Sequence, residues 1–84
     1  MNSIQLERAP NRKLAALPVH DRRRVERALR ALQEFPNCEH ITKLRREANL
    51  FRLRVGSYRV LFRHSTVKKQ ISICDVLRRD SKTY

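Results

Sequence analysis

The sequence predicts an α+β fold in which a short N-terminal strand and a two-helix hairpin precede an antiparallel sheet of three or more strands. Two patterns of apolar spacing support this prediction. Up to about residue 35, apolar residues recur every three or four positions, which is typical of helices that bury one face. From residue 50 onwards they alternate with arginine, which is typical of half-buried strands. The helices are expected to pack on one face of the sheet, and residues 1–84 are expected to form a single domain.

The first strand and both helices are predicted in the N-terminal half. Residues 3–7 alternate weakly and predict a short strand. Residues 9–17 predict a short helix, because Pro10 suits a first helical turn and Pro18 ends the pattern. The second helix is predicted from about residue 19 to residue 35. Its apolar stripe consists of Val25, Ala28, Leu29, Leu32 and Phe35.

A β-hairpin is predicted from two alternating segments, residues 50–55 and 58–64, which only Gly56 and Ser57 separate. Glycine followed by a small polar residue is typical of a two-residue type II′ turn, because glycine adopts the positive φ of the first turn position. A third strand is predicted at residues 70–77.

The short turn also predicts which side chains share a face, because a two-residue loop determines the register. One face is expected to carry Phe51, Leu53, Val55, Tyr58, Val60 and Phe62. The other is expected to carry Arg52, Arg54, Arg59, Leu61 and Arg63. Arg54 and Arg59 are expected to lie opposite each other, where like charges are destabilising unless an anion lies between them. The alternative is a solvated face whose long side chains extend into water. By the same alternation, His64 is expected at the rim or in the core.

The charge balance indicates a polyanionic partner. Twenty Lys and Arg residues oppose 8 Asp and Glu residues, so that 84 residues carry a net charge of +12. Nucleic acid relieves such self-repulsion, and arginine makes two-pronged contacts with phosphate. An acidic protein partner would relieve it too, and a generally soluble basic surface is a third interpretation.

Several classes of protein are not indicated. The sequence has no apolar run of membrane-spanning length and no signal peptide, so no membrane association and a cytoplasmic location are expected. Cys38 and Cys74 have no metal-ligand spacing and are expected to be reduced. No P-loop, HExxH or GxSxG motif is present, so neither a metal nor a cofactor is predicted. A domain of this kind would cleave RNA mainly through electrostatics and positioning, with the ribose 2′-hydroxyl as nucleophile.

Two segments carry a resemblance to a known family. Residues 43–62, KLRREANLFRLRVGSYRVLF, and residues 78–84, RRDSKTY, resemble the RelE/ParE superfamily of type II toxin–antitoxin toxins. The order of one strand, two helices and an antiparallel sheet is also that of the superfamily, so the resemblance spans nearly the whole chain. It implies a RelE-like mRNA interferase, a metal-independent endoribonuclease that cleaves mRNA in the ribosomal A site.

The resemblance also implies roles for individual residues. Arg59 matches the arginine that holds the scissile phosphate, and Arg79 matches an arginine that stabilises the leaving group or the phosphate. Tyr84 matches a C-terminal tyrosine that stacks on a base or helps to activate the 2′-hydroxyl. Arg52 and Arg54 stand where RelE carries two lysines.

Those two arginines are expected to bind phosphate, but they stay protonated and are not plausible general bases. Tyr84 is then the better proton acceptor, or the site has no dedicated base. Arg63 and Arg78 complete the expected RNA-binding set, with Arg78 as an alternative to Arg79.

The resemblance implies as partners a cognate antitoxin, the ribosome and mRNA. The antitoxin segment is expected to be a helix or an extended arm with an apolar stripe and acidic residues, which covers the basic face or displaces the C-terminal tail. Oligomers are expected only through the antitoxin or weak self-association. Two alternatives stay open. One is a ParE-like inhibitor of DNA gyrase without nuclease activity, against which the match of Arg59, Arg79 and Tyr84 argues. The other is an RNA-binding domain without activity.

Overall fold

Five strands form one mixed sheet in the computed structural model, which describes residues 1–44 and 49–78. The strands are β1 (Ser3–Leu6), β2 (Ile41–Lys43), β3 (Leu50–Val55), β4 (Tyr58–Ser65) and β5 (Gln70–Arg78). Their order in the sheet is β1-β5-β4-β3-β2. The predicted α+β class and the N-terminal strand are confirmed. The sheet is not purely antiparallel, however, because β1 lies parallel to β5, and the short edge strand β2 was not predicted.

Two helices connect β1 to the rest of the sheet. They are α1 (Arg8–Ala15) and α2 (Val19–Ala31), and one 3-10 turn (Leu32–Glu34) follows α2. The helical pattern was expected to continue to Phe35, but that residue has an extended conformation with φ −52° and ψ 135°. Pro36 explains the early end, because a proline disfavours the helical conformation of the residue before it. Among the described residues, no helix is long and apolar enough to span a membrane.

The hairpin of β3 and β4 has the predicted register. The cross-strand pairs are Val55–Tyr58, Arg54–Arg59, Leu53–Val60, Arg52–Leu61 and Phe51–Phe62. Gly56 has a φ of +56°, whereas Ser57 is not among the residues with positive φ. This combination is that of a type II′ turn. The guanidinium of Arg24 also lies against Gly56, since a Cβ atom at that position would be 2.9 Å from Cζ of Arg24.

The apolar face of the sheet and the stripe of α2 form the core. Val25 and Leu32 from the helical layer are fully buried, as are Val60, Phe62 and Ile73 from the sheet. Phe35, after the 3-10 turn, packs edge-on against Phe51 and Phe62. Burial of side chains of this size contributes about 1.5–3 kcal/mol each. The helices therefore cover one face of the sheet.

Buried polar contacts attach the N-terminus to this core. Asn2 is buried, and its Nδ2 atom donates to the carbonyl oxygen of Phe35 at 3.0 Å. The Oδ1 atom of Asn2 lies 3.1 Å from Nε2 of His64. The His64 ring also packs against Phe35, with ring centroids 4.8 Å apart. The prediction that His64 belongs to the rim or core is confirmed.

Candidate nucleic-acid interface

The candidate interface is the sheet face that points away from the core, which we call the arginine face. It comprises Arg52, Arg54, Arg59, Leu61 and Arg63. Residues of β3 and β4 alternate between this face and the buried one, because successive side chains of a strand point to opposite sides. Arg54 and Arg63 are exposed, and Arg52 and Arg59 are half-buried. The predicted placement of these side chains on one face is confirmed.

The centre of the arginine face places positive charges close together. Arg54 and Arg59 are direct cross-strand partners, which corresponds to Cβ atoms about 5 Å apart. Neither Arg52 nor Arg54 has an ion pair with an acidic residue in the described part of the chain. Bidentate guanidinium groups at this spacing can bind a phosphate from two sides. The face is therefore suited to an anionic ligand.

A β-bulge brings acidic and thiol groups to the same face. β5 carries one extra residue, Cys74, opposite the step between Leu61 and Phe62, so that Asp75 pairs with Leu61. Oδ1 of Asp75 lies 2.7 Å from Nζ of Lys13. The sequence prediction missed the bulge, although the apolar positions of β5 change phase after residue 73. That change of phase is the signal that could have revealed it.

The two cysteines are free, as expected for reduced thiols. Burial raises the pKa of the Cys38 thiol. Burial is also the main reason why the pKa of Cys74 is raised, and nearby Glu7 acts in the same direction. Arg63 opposes this shift by a favourable charge interaction and a hydrogen bond. Neither thiol is activated as a nucleophile, because activation requires a lowered pKa.

The bulge also decides the position of Arg78. With one extra residue in β5, Arg78 pairs with Tyr58, whose side chain is buried on the side of the sheet that the helices cover. The register therefore does not bring Arg78 onto the arginine face, although its side chain is exposed. The sequence alone did not decide which face Arg78 occupies, because it left open which residues of β5 point to each side of the sheet. Arg79 and Tyr84, the other C-terminal candidates, lie outside the described residues.

Tyr58 has a structural contact rather than a place on the arginine face. Its hydroxyl donates to Oδ2 of Asp21 in α2 at 2.8 Å. This hydrogen bond is the main reason why the pKa of Tyr58 is raised, and burial and the Asp21 charge add to it. The bond joins β4 to α2. Sequence analysis had placed Tyr58 on the apolar face, but had not foreseen its polar partner.

A groove of about 920 Å³ lies between α2, the segment before β2 and the end of β3, and Arg54 of the arginine face lines it too. Its apolar lining includes Ala28, Leu32 and Leu53, and Arg24 and Arg27 line it as well. The two exposed arginines make part of the groove positive. Ala28 in the apolar stripe of α2 could have indicated this groove, because a small side chain leaves space beside the helix.

Comparisons with solved structures identify the fold. The chain is similar to a chain of the intact RelBE toxin–antitoxin complex of E. coli, with a TM-score of 0.82, 17% identity, and coverage of 95% of this chain and 99% of that one. The archaeal RelE–RelB complex from Pyrococcus horikoshii matches with a TM-score of 0.81, 24% identity, and coverage of 95% and 97%. The RelBE2 complex from Mycobacterium tuberculosis matches with a TM-score of 0.62 and 28% identity, over 93% and 98% of the two chains.

No protein-family model and no curated protein matches the sequence. The structural likenesses nevertheless cover almost the whole chain and agree with one another. The chain has the fold of the RelE toxins, and the resemblance to the RelE/ParE superfamily seen in its sequence is confirmed at the level of the fold.

Proposed function

We propose that this chain is the toxin of a type II toxin–antitoxin system and a ribosome-dependent endoribonuclease that cleaves mRNA in the A site. The observation that carries the proposal is the cross-strand pair of Arg54 and Arg59 on an arginine face of a RelE-like sheet. Like charges so placed cost stability, and a bound RNA phosphate offsets that cost. Cleavage would block translation in the cytoplasm.

The proposed reaction is attack of a ribose 2′-hydroxyl on the adjacent phosphate. Arg59 holds the scissile phosphate and neutralises the charge that builds up on it in the transition state. Arg52 and Arg54 bind phosphate from β3, and Arg63 binds RNA further along β4. In this proposal guanidinium groups supply the charge that a metal ion supplies in other nucleases.

The C-terminal residues enter the proposal through the resemblance. Arg79 is proposed to stabilise the leaving group or the phosphate, and Tyr84 to stack on a base or assist the 2′-hydroxyl. Arg78 is proposed to contact RNA outside the arginine face, since β5 places it opposite Tyr58.

The proposed protein partner is a cognate antitoxin. The solved structures from E. coli, P. horikoshii and M. tuberculosis are described as toxin–antitoxin complexes. The net charge of +12 here favours an acidic segment with an apolar stripe. Ribosomes and mRNA are the other proposed partners, without a membrane, and self-association is expected to be weak.

The experiment is primer extension on mRNA in translating ribosomes, with the purified chain added. Wild-type protein is expected to produce cuts in the A-site codon. The double variant Arg59→Ala with Arg79→Ala is expected to lose them while its circular dichroism spectrum is retained. The matched control, Arg12→Ala with Arg23→Ala, removes two exposed helical arginines and should cut normally.

Full cutting by the Arg59→Ala, Arg79→Ala variant would contradict the proposed site. Absence of cutting by the wild-type chain would contradict the proposed activity. In that case a DNA gyrase supercoiling assay on the same protein tests the ParE-like alternative, because a gyrase inhibitor would block supercoiling without cutting RNA.

A further inference from the structure

We propose that Asp75 is the general base that accepts the proton of the attacking 2′-hydroxyl. This inference rests on the proposed nuclease function and assigns to Asp75, in place of Tyr84, the role of proton acceptor that the arginines cannot perform. Arginine stays protonated at any physiological pH. A base positioned beside the nucleophile typically accelerates such a reaction by 10²–10⁴-fold.

The bulge in β5 places Asp75 among the arginines. Val76, the next residue, is buried and pairs with Val60, so alternation directs Asp75 to the opposite side of the sheet. Its pairing with Leu61 leads to the same conclusion, since Leu61 belongs to the arginine face. Bulges often redirect one side chain next to an active site. Here the redirected side chain is a carboxylate.

Asp75 lies beside the proposed phosphate site and not within it, which is where a general base is required. Asp75, Leu61 and Arg52 form one row across β5, β4 and β3. Arg59 pairs with Leu77, two residues along from Asp75, so Arg59 and Asp75 are diagonal neighbours about 7–8 Å apart. In the proposed complex, the phosphate lies between Arg54 and Arg59 and its ribose lies over Leu61, next to the Asp75 carboxylate.

Asp75 is also held in one orientation. Its Oδ1 atom accepts a hydrogen bond from its neighbour Val76 N at 2.9 Å and contacts Lys13 Nζ at 2.7 Å. Both contacts use Oδ1, so among the described residues Oδ2 is the oxygen left for a ribose. The side chain is 31% exposed, which gives a substrate access to it.

Other titratable groups in the described part of the chain are less suitable. His64 contacts Asn2 and Phe35 on the helix side, and the hydroxyl of Tyr58 is bonded to Asp21. Among the described residues, the charged or titratable groups around Asp75 include Lys13 from α1, Arg52 from β3, Arg59 and Arg63 from β4, neighbouring Cys74, and Glu7 beside Cys74.

The proposed step conserves atoms and charge. Oδ2 of Asp75 takes the proton as the 2′-oxygen forms a bond to phosphorus. The bond between phosphorus and the 5′-oxygen then breaks, which yields a 2′,3′-cyclic phosphate and a 5′-alkoxide. Water protonates the alkoxide, and Asp75 returns its proton to solvent.

The test compares single-turnover cutting on programmed ribosomes by wild-type protein, Asp75→Asn and Asp75→Glu, from about pH 5 to pH 9. The wild-type rate should fall at acidic pH, because a carboxylate accepts a proton only when it is ionised. Asp75→Asn should lower the rate at least about 100-fold and abolish that acidic decline. Asp75→Glu keeps a carboxylate at this position. It should cut at least about tenfold faster than Asp75→Asn and should show the acidic decline.

Two outcomes would overturn the inference while the nuclease function stands. One is a wild-type-like rate and pH profile for Asp75→Asn. The other is equal loss of rate in Asp75→Asn and Asp75→Glu, which would show that the carboxylate takes no part in the reaction. If Asp75→Asn fails to fold, a wild-type rate that shows no acidic decline overturns the inference by itself. If the wild-type chain does not cut mRNA, the proposed function and the inference fail together.

Discussion

Individual side chains on the two faces of the sheet have different tasks. Arg54 and Arg59 lie opposite each other on neighbouring strands, where like charges repel. Tyr58, one residue before Arg59, instead donates to Asp21 and closes a contact between sheet and helix. Because side chains alternate between the two sides of a strand, Arg59 is directed to the arginine face and Tyr58 to the core. Neighbouring residues of β4 can therefore serve ligand binding and stability respectively.

The Tyr58 contact predicts a pH dependence at the alkaline end. The pKa of Tyr58 is raised in the folded chain, so the folded state favours the neutral phenol. The stabilisation is complete below the ordinary pKa of tyrosine, about 10, and is lost as the pH rises through the folded value. Urea unfolding at increasing pH should therefore show an alkaline loss of stability in wild type that is smaller in Tyr58→Phe. Equal losses in both proteins would contradict this explanation.

At the scale of elements, the hairpin turn determines where the arginines lie. Gly56 has a φ of +56°, and other residues adopt this left-handed conformation at a cost of about 1–2 kcal/mol. A Cβ atom there would also displace the guanidinium of Arg24. Gly56→Ala should therefore lower the free energy of unfolding by about 1–2 kcal/mol, measured by urea denaturation.

Ser57→Ala is the control for that measurement, because Ser57 is exposed and lacks a positive φ. Its stability should stay within about 0.5 kcal/mol of wild type. A Gly56→Ala variant as stable as Ser57→Ala would show that the turn tolerates a side chain.

Elements differ in how far the sequence specifies them. The hairpin register was predicted from Gly56-Ser57 and from period-two alternation, since both signals are local. The end of α2 was misplaced because the apolar stripe continues through a 3-10 turn to Phe35. The strand β2 was missed because three residues, Ile41–Lys43, carry too short a pattern.

At the scale of the whole molecule, the net charge is +12, and among the described residues arginines lie both on the arginine face and on the helices. Binding to single-stranded RNA releases counterions, so the logarithm of the affinity falls with the logarithm of salt concentration by about 0.7 for each phosphate contact. Arg52→Ala with Arg54→Ala should reduce this slope by about 1.4 in fluorescence anisotropy with a short RNA. Arg12→Ala with Arg23→Ala removes equal charge from the helices and should change the slope little. Equal changes in both variants would show that the chain binds RNA without a preferred face.

The sequence by itself determined the fold class, the hairpin register and the common face of four arginines, because these follow from spacing over a few residues. Only the tertiary structure decided that β1 joins the sheet parallel to β5, that Arg78 lies opposite Tyr58, and that a bulge places Asp75 beside the arginines. These features depend on how distant strands pair. Strand pairing is decided by packing over the whole core. The change of apolar phase in β5 indicates a bulge, but it does not tell which residues of β4 lie opposite it.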